Sequence, residues 1–187
     1  WGNDIRNSLY LIEWSPDGNL LLLASKNENI VILSLSGQQL GEVEINDQLR
    51  EIELASLTWW CKYIDETKVI TKKKHLMLAF INGTIALYDD ENDKEPLIFK
   101  INLKRVNKAE WNIDGESFAV SGFLNENDDK GVVSFYNSRR EFVKNIKINE
   151  PIKSFAFDAK GTQIAIETPS TIYFGLIKPE YQWCYFS

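Results

Sequence analysis

Leu11-Ile12-Glu13-Trp14-Ser15-Pro16-Asp17-Gly18-Asn19-Leu20-Leu21-Leu22-Leu23-Ala24 places a short segment ending in an aromatic against a fully apolar one, with a tight turn between them. Proline presets the backbone angle at the second turn position, and glycine takes the fourth without steric penalty. The same unit returns as Lys108-Ala109-Glu110-Trp111, Asn112-Ile113-Asp114-Gly115 and Ser117-Phe118-Ala119-Val120. A third copy reads Ser154-Phe155-Ala156-Phe157, Asp158-Ala159-Lys160-Gly161 and Gln163-Ile164-Ala165-Ile166. A degenerate copy ends at Trp60, where a longer insertion replaces the turn before Leu76-Met77-Leu78-Ala79-Phe80. Subtracting their numbers, the anchors Trp14, Trp60, Trp111 and Phe157 stand 46, 51 and 46 residues apart.

Each copy supplies a third strand, over residues 29–35, 84–89, 131–137 and 171–177, and three copies supply a fourth, over 40–45, 97–101 and 143–148. Four short antiparallel strands per unit make one blade of a β-propeller, and WD40-type blades recur every ~40–45 residues, with room for loop insertions. Helical spacing of apolar residues is missing nearly everywhere, so the chain reads as all-β. A β-sandwich also has many short strands, but nothing in it requires one aromatic-turn-glycine unit at a near-constant period. The expected architecture is therefore four consecutive four-stranded WD40-type blades, about 1–50, 51–103, 104–149 and 150–187. Closed propellers carry about four to eight blades, and four of this type rarely close. The blades are expected to belong to a larger, seven-bladed ring whose protein continues at both ends. Trp183-Cys184-Tyr185-Phe186-Ser187 reads as the start of a further strand.

Composition narrows the function. Apolar residues make up 44% and charged residues 26%, ordinary values for a folded soluble chain. The 27 acidic residues outnumber the 21 basic ones, for a net charge of −6. Phosphate backbones demand clustered positive charge, which argues against nucleic acid as the main partner. Cys61 and Cys184 can form at most one disulfide and read as reduced thiols of an intracellular chain. The longest apolar run, Leu20 to Ala24, is far too short to cross a bilayer. Asn82-Gly83-Thr84 matches a glycosylation sequon, but Asn-Gly between two apolar strands is better read as a type I′ hairpin turn.

Catalysis has little to work with. His75 is the single histidine, and a Ser-His-Asp arrangement through it weighs less than a solvent-facing loop residue. With no CxxC and one histidine, a zinc site is unsupported. The clusters at 89–93 and 125–129 are acidic but lack the spacing of a calcium loop, so solvated loops are expected. The reading is a non-enzyme with no catalytic residues, cofactor or metal. Four residues stand out for partner contact: Trp59, Lys72, Lys73 and Lys74. The lysines, with Lys62 and Lys68, make the 61–74 insertion basic in an acidic protein, suited to an acidic partner or lipid headgroup. Trp59 must point to the opposite face from Trp60, either outward to an interface or, better, between blades. Trp14, Trp60 and Trp111 read as blade-packing residues.

Beyond the repeat, Ile172-Tyr173-Phe174, Ile177-Lys178-Pro179, Tyr181 and Trp183 resemble the end of a late first-propeller blade in the WD repeat-containing protein 35 family. So do Val133-Ser134-Phe135-Tyr136-Asn137, Glu141-Phe142, Trp59-Trp60, Phe80-Ile81-Asn82-Gly83, Asp90-Glu91-Asn92-Asp93, Trp111-Asn112, Trp1-Gly2 and Trp14-Ser15-Pro16-Asp17-Gly18. The Gly-His and Trp-Asp dipeptides of the general WD40 pattern are absent, with Tyr88-Asp89 and Tyr136-Asn137 the nearest substitutes. The resemblance implies a scaffold subunit of intraflagellar transport complex A, serving retrograde ciliary transport and delivery of ciliary membrane proteins. It implies other subunits of that complex as partners, possible indirect contact with membrane or cargo, and a place in the cytoplasm and cilium, at axoneme and ciliary base. A coatomer-like or nucleoporin-like coat propeller is the alternative. A propeller hydrolase is a third reading, although the strand ends supply no convergent carboxylates and no nucleophile with its base.

Overall fold

A computed structural model describes residues 9–61 and 74–177. Its strands form four antiparallel sheets, each a meander in chain order. The first contains β1 (Leu9–Trp14), β2 (Leu20–Ser25), β3 (Ile30–Ser34) and β4 (Gln39–Val43). A single helical turn, α1 (Asp47–Arg50), leads into the second sheet, with the Asn46 side chain accepting from the Gln48 N–H as its cap. That sheet holds β5 (Leu54–Cys61), β6 (Lys74–Phe80), β7 (Thr84–Tyr88) and β8 (Leu97–Lys100). The third comprises β9 (Arg105–Trp111), β10 (Ser117–Phe123), β11 (Val132–Asn137) and β12 (Phe142–Lys147). The fourth has three strands among the described residues: β13 (Ser154–Phe157), β14 (Gln163–Glu167) and β15 (Ile172–Leu176). The closing segment 183–187, expected to begin another strand, lies outside the described residues, as do Trp1-Gly2 and the family-like positions from Lys178 onward.

Alternating side chains pack the sheets against one another, because successive residues of a strand point to opposite faces. Along β6, Leu76, Leu78 and Phe80 join Leu22, Ile30, Ile32 and Val43 of the first sheet in one core. The residues between them, Met77 and Ala79, join Phe118, Val120 and Val132 of the third sheet in a second core. The third sheet repeats the arrangement, turning Ala119, Val133 and Phe135 toward Phe155, Ile164 and Ile166 of the fourth. The middle strands of the second and third sheets therefore read as continuous apolar runs, buried on both faces. Polar bonds also cross the seams. The Ser56 hydroxyl donates to the Ala109 carbonyl at 3.0 Å, and the Asn107 amide to the Ile152 carbonyl at 3.0 Å.

One turn geometry recurs six times. The carbonyl of its first residue accepts from the N–H of its fourth in Ser15–Gly18, Ser34–Gly37, Phe80–Gly83, Asn112–Gly115, Asn137–Arg140 and Asp158–Gly161, at 2.8–3.0 Å. In every case the fourth residue has positive φ: 68°, 79°, 86°, 64°, 67° and 67° in chain order. A turn followed by one left-handed residue closes a three-residue loop after Ser34 and Asn137, and a four-residue loop where the N–H groups of Ser15, Asn112 and Asp158 donate to the carbonyls of Leu20, Ser117 and Gln163. This corrects the type I′ reading of Asn82-Gly83. That turn would need positive φ at Asn82 as well, and among the described non-glycine residues only Asn27 and Arg140 have it.

Candidate interaction surface

The seam between the second and third sheets carries the most unusual chemistry, beginning where the lysine-bearing insertion is rooted. Trp60 pairs with His75 and Cys61 with Lys74 across β5 and β6. The Trp60 indole stacks on the His75 ring, with centroids 5.3 Å apart and planes 12° apart, and tilts against Trp111 at 6.2 Å. Its Nε1 donates to the Ile113 carbonyl at 3.4 Å. The ring lies over Gly115, where a Cβ would run directly into the indole. Glycine is required there twice, for its positive φ and for the tryptophan above it. From Trp111 the rings continue to Phe118 at 5.2 Å, to Tyr136 at 5.2 Å and to Phe142 at 6.0 Å. Six rings thus run along this seam, in the offset and edge-on arrangements that aromatic quadrupoles favour.

His75 is therefore not the solvent-facing loop residue expected from sequence. It occupies β6, keeps 26% of its side chain exposed, and has Nδ1 3.5 Å from Oδ1 of the exposed Asp89. The run of lysines beside it in sequence masked a strand start. Lys72 and Lys73 lie outside the described residues, as do Lys62 and Lys68. Lys74 opens β6. Trp59 is buried, only 7% exposed, within the core between the first and second sheets. That is the between-blade position, with its strand partner Leu76 packed in the same core. Of the three repeat tryptophans, Trp60 and Trp111 pack in a seam, while Trp14 is 51% exposed. Trp14 pairs with Leu21, on the face of the first sheet that points away from the second.

The innermost strands form a second polar focus. Lys108 Nζ lies 2.7 Å from a Glu110 carboxylate oxygen and donates to the Phe155 carbonyl at 2.6 Å, bridging the third and fourth sheets. Glu13 of the first sheet is half-buried. Its carboxyl is held above the usual range chiefly by that burial and next by the negative charge of Glu110, with Lys108 opposing. In the second sheet burial, aided by the charge of Asp93, pushes the Tyr88 phenol up to about 12. Its hydroxyl donates to the Glu44 carbonyl at 3.0 Å and ties the second sheet to the loop after β4. Asp158 is held low, first by the Gln163 N–H and also by those of Thr162 and Lys160. These are the bonds of a turn-closing carboxylate.

A third feature escaped sequence reading altogether. At the outer rim of the same seam, a notch of about 440 Å³ opens between the end of β8 and the edge strand β12. Ile101, Leu124, Tyr136 and Phe142 supply its apolar walls, and Lys100 and Arg140 its charge. Burial raises the Tyr136 phenol, while hydrogen bonds from Ser134 and the Asn102 backbone pull it back down. These residues come from three separate stretches, so no local motif announces them. The one available signal is in the turns, where Ser34-Leu35-Ser36-Gly37 ends on glycine and its counterpart Asn137-Ser138-Arg139-Arg140 does not.

No three His, Cys, Asp or Glu side chains are grouped to hold a metal among the described residues. No helix among them is long and apolar enough to cross a membrane.

Repeated four-stranded meanders, stacked face to face with the first strands innermost, define a WD40-type β-propeller protein. The family model described as WDR35/TULP4 N-terminal, a β-propeller family, matches residues 1–178, and the chain belongs to that family. WD repeat-containing protein 35 of Rattus norvegicus and of Homo sapiens are each 28% identical to it over 195 residues, covering 100% of this chain. Tubby-related protein 4 of Mus musculus is 21% identical over 196 residues, covering 86% of the chain and 12% of that protein. The chain spans 16% of the length of the WD repeat-containing protein 35 relatives. Among solved structures, a chain of the crystal structure of the mitotic checkpoint complex superposes with a TM-score of 0.65 at 17% identity. The match covers 92% of this chain and 48% of that one, a likeness of fold alone.

Proposed function

We propose that this chain is part of a non-catalytic scaffold subunit of the intraflagellar transport A complex, whose propeller offers docking surfaces for retrograde ciliary transport and membrane-protein delivery. The observation that carries the reading is the family match over residues 1–178. The geometry supports it in kind. Polar and aromatic side chains are spent on locking sheet to sheet, as in Lys108 to Phe155 and Trp60 to Ile113, and not on converging around a reacting centre. Such a body presents fixed surfaces at loops, rims and edge strands, which suits recognition by other proteins.

In this reading the four sheets belong to a seven-bladed ring. The outward faces of the first and fourth sheets carry Ile12, Trp14, Ile172, Phe174 and Leu176 at 51–78% exposure, the kind of apolar surface a neighbouring blade buries. Lys72, Lys73 and Lys74 then offer a basic contact for an acidic partner. Affinity purification of the protein from ciliated cells, followed by mass spectrometry, is the direct test and should recover the other complex A subunits. A tagged protein should label the axoneme and ciliary base. Label restricted to Golgi or nuclear envelope would sink the ciliary assignment in favour of a coat propeller.

A further inference from the structure

We infer that the rim notch between the second and third sheets is a docking site for an acidic, leucine-bearing segment of a partner protein. The inference rests on the scaffold reading only in taking a protein as the partner. Its first support is charge. In a chain of net charge −6, the notch is lined by Lys100 and Arg140 and by no carboxylate. Neither cation is in an ion pair within 4.0 Å among the described residues.

The second support is backbone strain. Arg140 sits at φ 67°, in the turn position that glycine fills at Gly18, Gly37, Gly83, Gly115 and Gly161. A side chain in the left-handed region is disfavoured there, and strain of this kind collects where a residue is needed for contact. The Arg140 guanidinium makes one hydrogen bond, from Nε to the Arg139 carbonyl at 3.3 Å, which leaves its remaining donors free for an anion.

The third support is the strand beside the cations. Phe142 and Asn145 of the notch lining lie on β12, which among the described residues is the edge strand of its sheet, where an extended chain can add. The apolar walls at Ile101, Leu124 and Phe142 then receive an aliphatic side chain, with Phe142 itself 57% exposed.

Fluorescence anisotropy of the full protein with a fluorescein-labelled peptide of alternating glutamate and leucine tests this. A peptide of alternating lysine and leucine and vesicles rich in phosphatidylserine serve as the contrasting probes. The acidic peptide should bind and the basic one should not. Arg140→Gly and Lys100→Glu should each weaken binding tenfold or more. Arg140→Gly relieves the turn, so it should melt no lower than the parent, which separates lost binding from lost folding. Binding of the acidic peptide unchanged by Arg140→Gly, equal binding of both peptides, or no binding of either would overturn the inference. Arg140-dependent binding of the vesicles without the peptide would overturn it in favour of a lipid surface. Recovery of the complex A subunits is a separate readout, so the notch can fail while the scaffold reading stands.

Discussion

The third strands of the second and fourth sheets occupy the same place in the repeat and have opposite fates. In β7, Thr84, Ile85, Ala86 and Tyr88 are buried, whereas in β15 four of five residues are exposed, Phe174 at 78%. Both strands are apolar and both pair correctly within their sheets. The difference is the neighbour. β7 lies between two sheets and pairs on both edges, whereas among the described residues β15 has a sheet on one side and a partner strand on one edge. Burial in a stacked array is thus a property of position along the stack, and intrinsic strand preference says little about it.

The widest gap between the two regions is expected on truncating their apolar side chains. Leu78 is fully buried in the first seam, so Leu78→Ala loses its transfer energy and leaves a cavity, at about 2–5 kcal/mol. Phe174→Ala, in the same 187-residue chain, should fall within about 0.5 kcal/mol of the parent, as surface changes do. Urea unfolding of both variants measures the contrast. A loss above about 2 kcal/mol for Phe174→Ala would mean that something already covers the end face, and the comparison would collapse.

The turns sharpen the same contrast at smaller scale. Gly18, in the first sheet, has φ 68° and nothing within 4 Å of where a Cβ would stand. Gly83, in the second, has φ 86°, and there a Cβ meets the Leu103 backbone carbonyl. Gly18→Ala should cost only the left-handed penalty, about 1–2 kcal/mol. Gly83→Ala adds displacement of packed backbone, roughly another 1–3 kcal/mol. Equal losses would show that the seam at Leu103 yields freely.

These pairs also mark how far the sequence could be read. The aromatic-turn-glycine unit is local, and its strands form where the alternation places them. Which tryptophan packs is not local. Trp14 and Trp111 hold identical repeat positions, yet among the described residues only Trp111 has a sheet opposite it. Likewise, Asn82-Gly83 is legible as a turn, but the carbonyls of Leu103 and Ile101 that crowd Gly83 come from a distant stretch of sequence. The rim notch was invisible because Lys100, Leu124 and Arg140 meet only after three strands have paired. Glycine missing from one of six equivalent turns is the trace it leaves in the sequence.

The smallest expected effect tests whether the first sheet, open on its outer face, is nonetheless tightly held on its inner one. Glu13 lies on β1 and faces the second sheet, since it pairs with Leu22 of the first core. Burial first, and the Glu110 charge second, raise its folded-state carboxyl pKa. The folded protein therefore binds this proton more tightly than the unfolded chain, and ionisation opposes folding. Below the unfolded pKa both states are protonated and nothing is lost. As pH rises through the folded pKa the cost appears, and above it the cost is complete. Glu13→Gln keeps the shape and removes the charge. Solvent screens a half-buried carboxyl, so the gain in melting temperature at pH 7.5 should be small, about 1–2 °C, the scale of a fraction of 1 kcal/mol in a chain this size. Near pH 3.5 the two proteins should melt together. A gain of the same size at both pH values would trace the effect to packing and not to charge, and the inner face of the first sheet would then be wetter than its geometry implies.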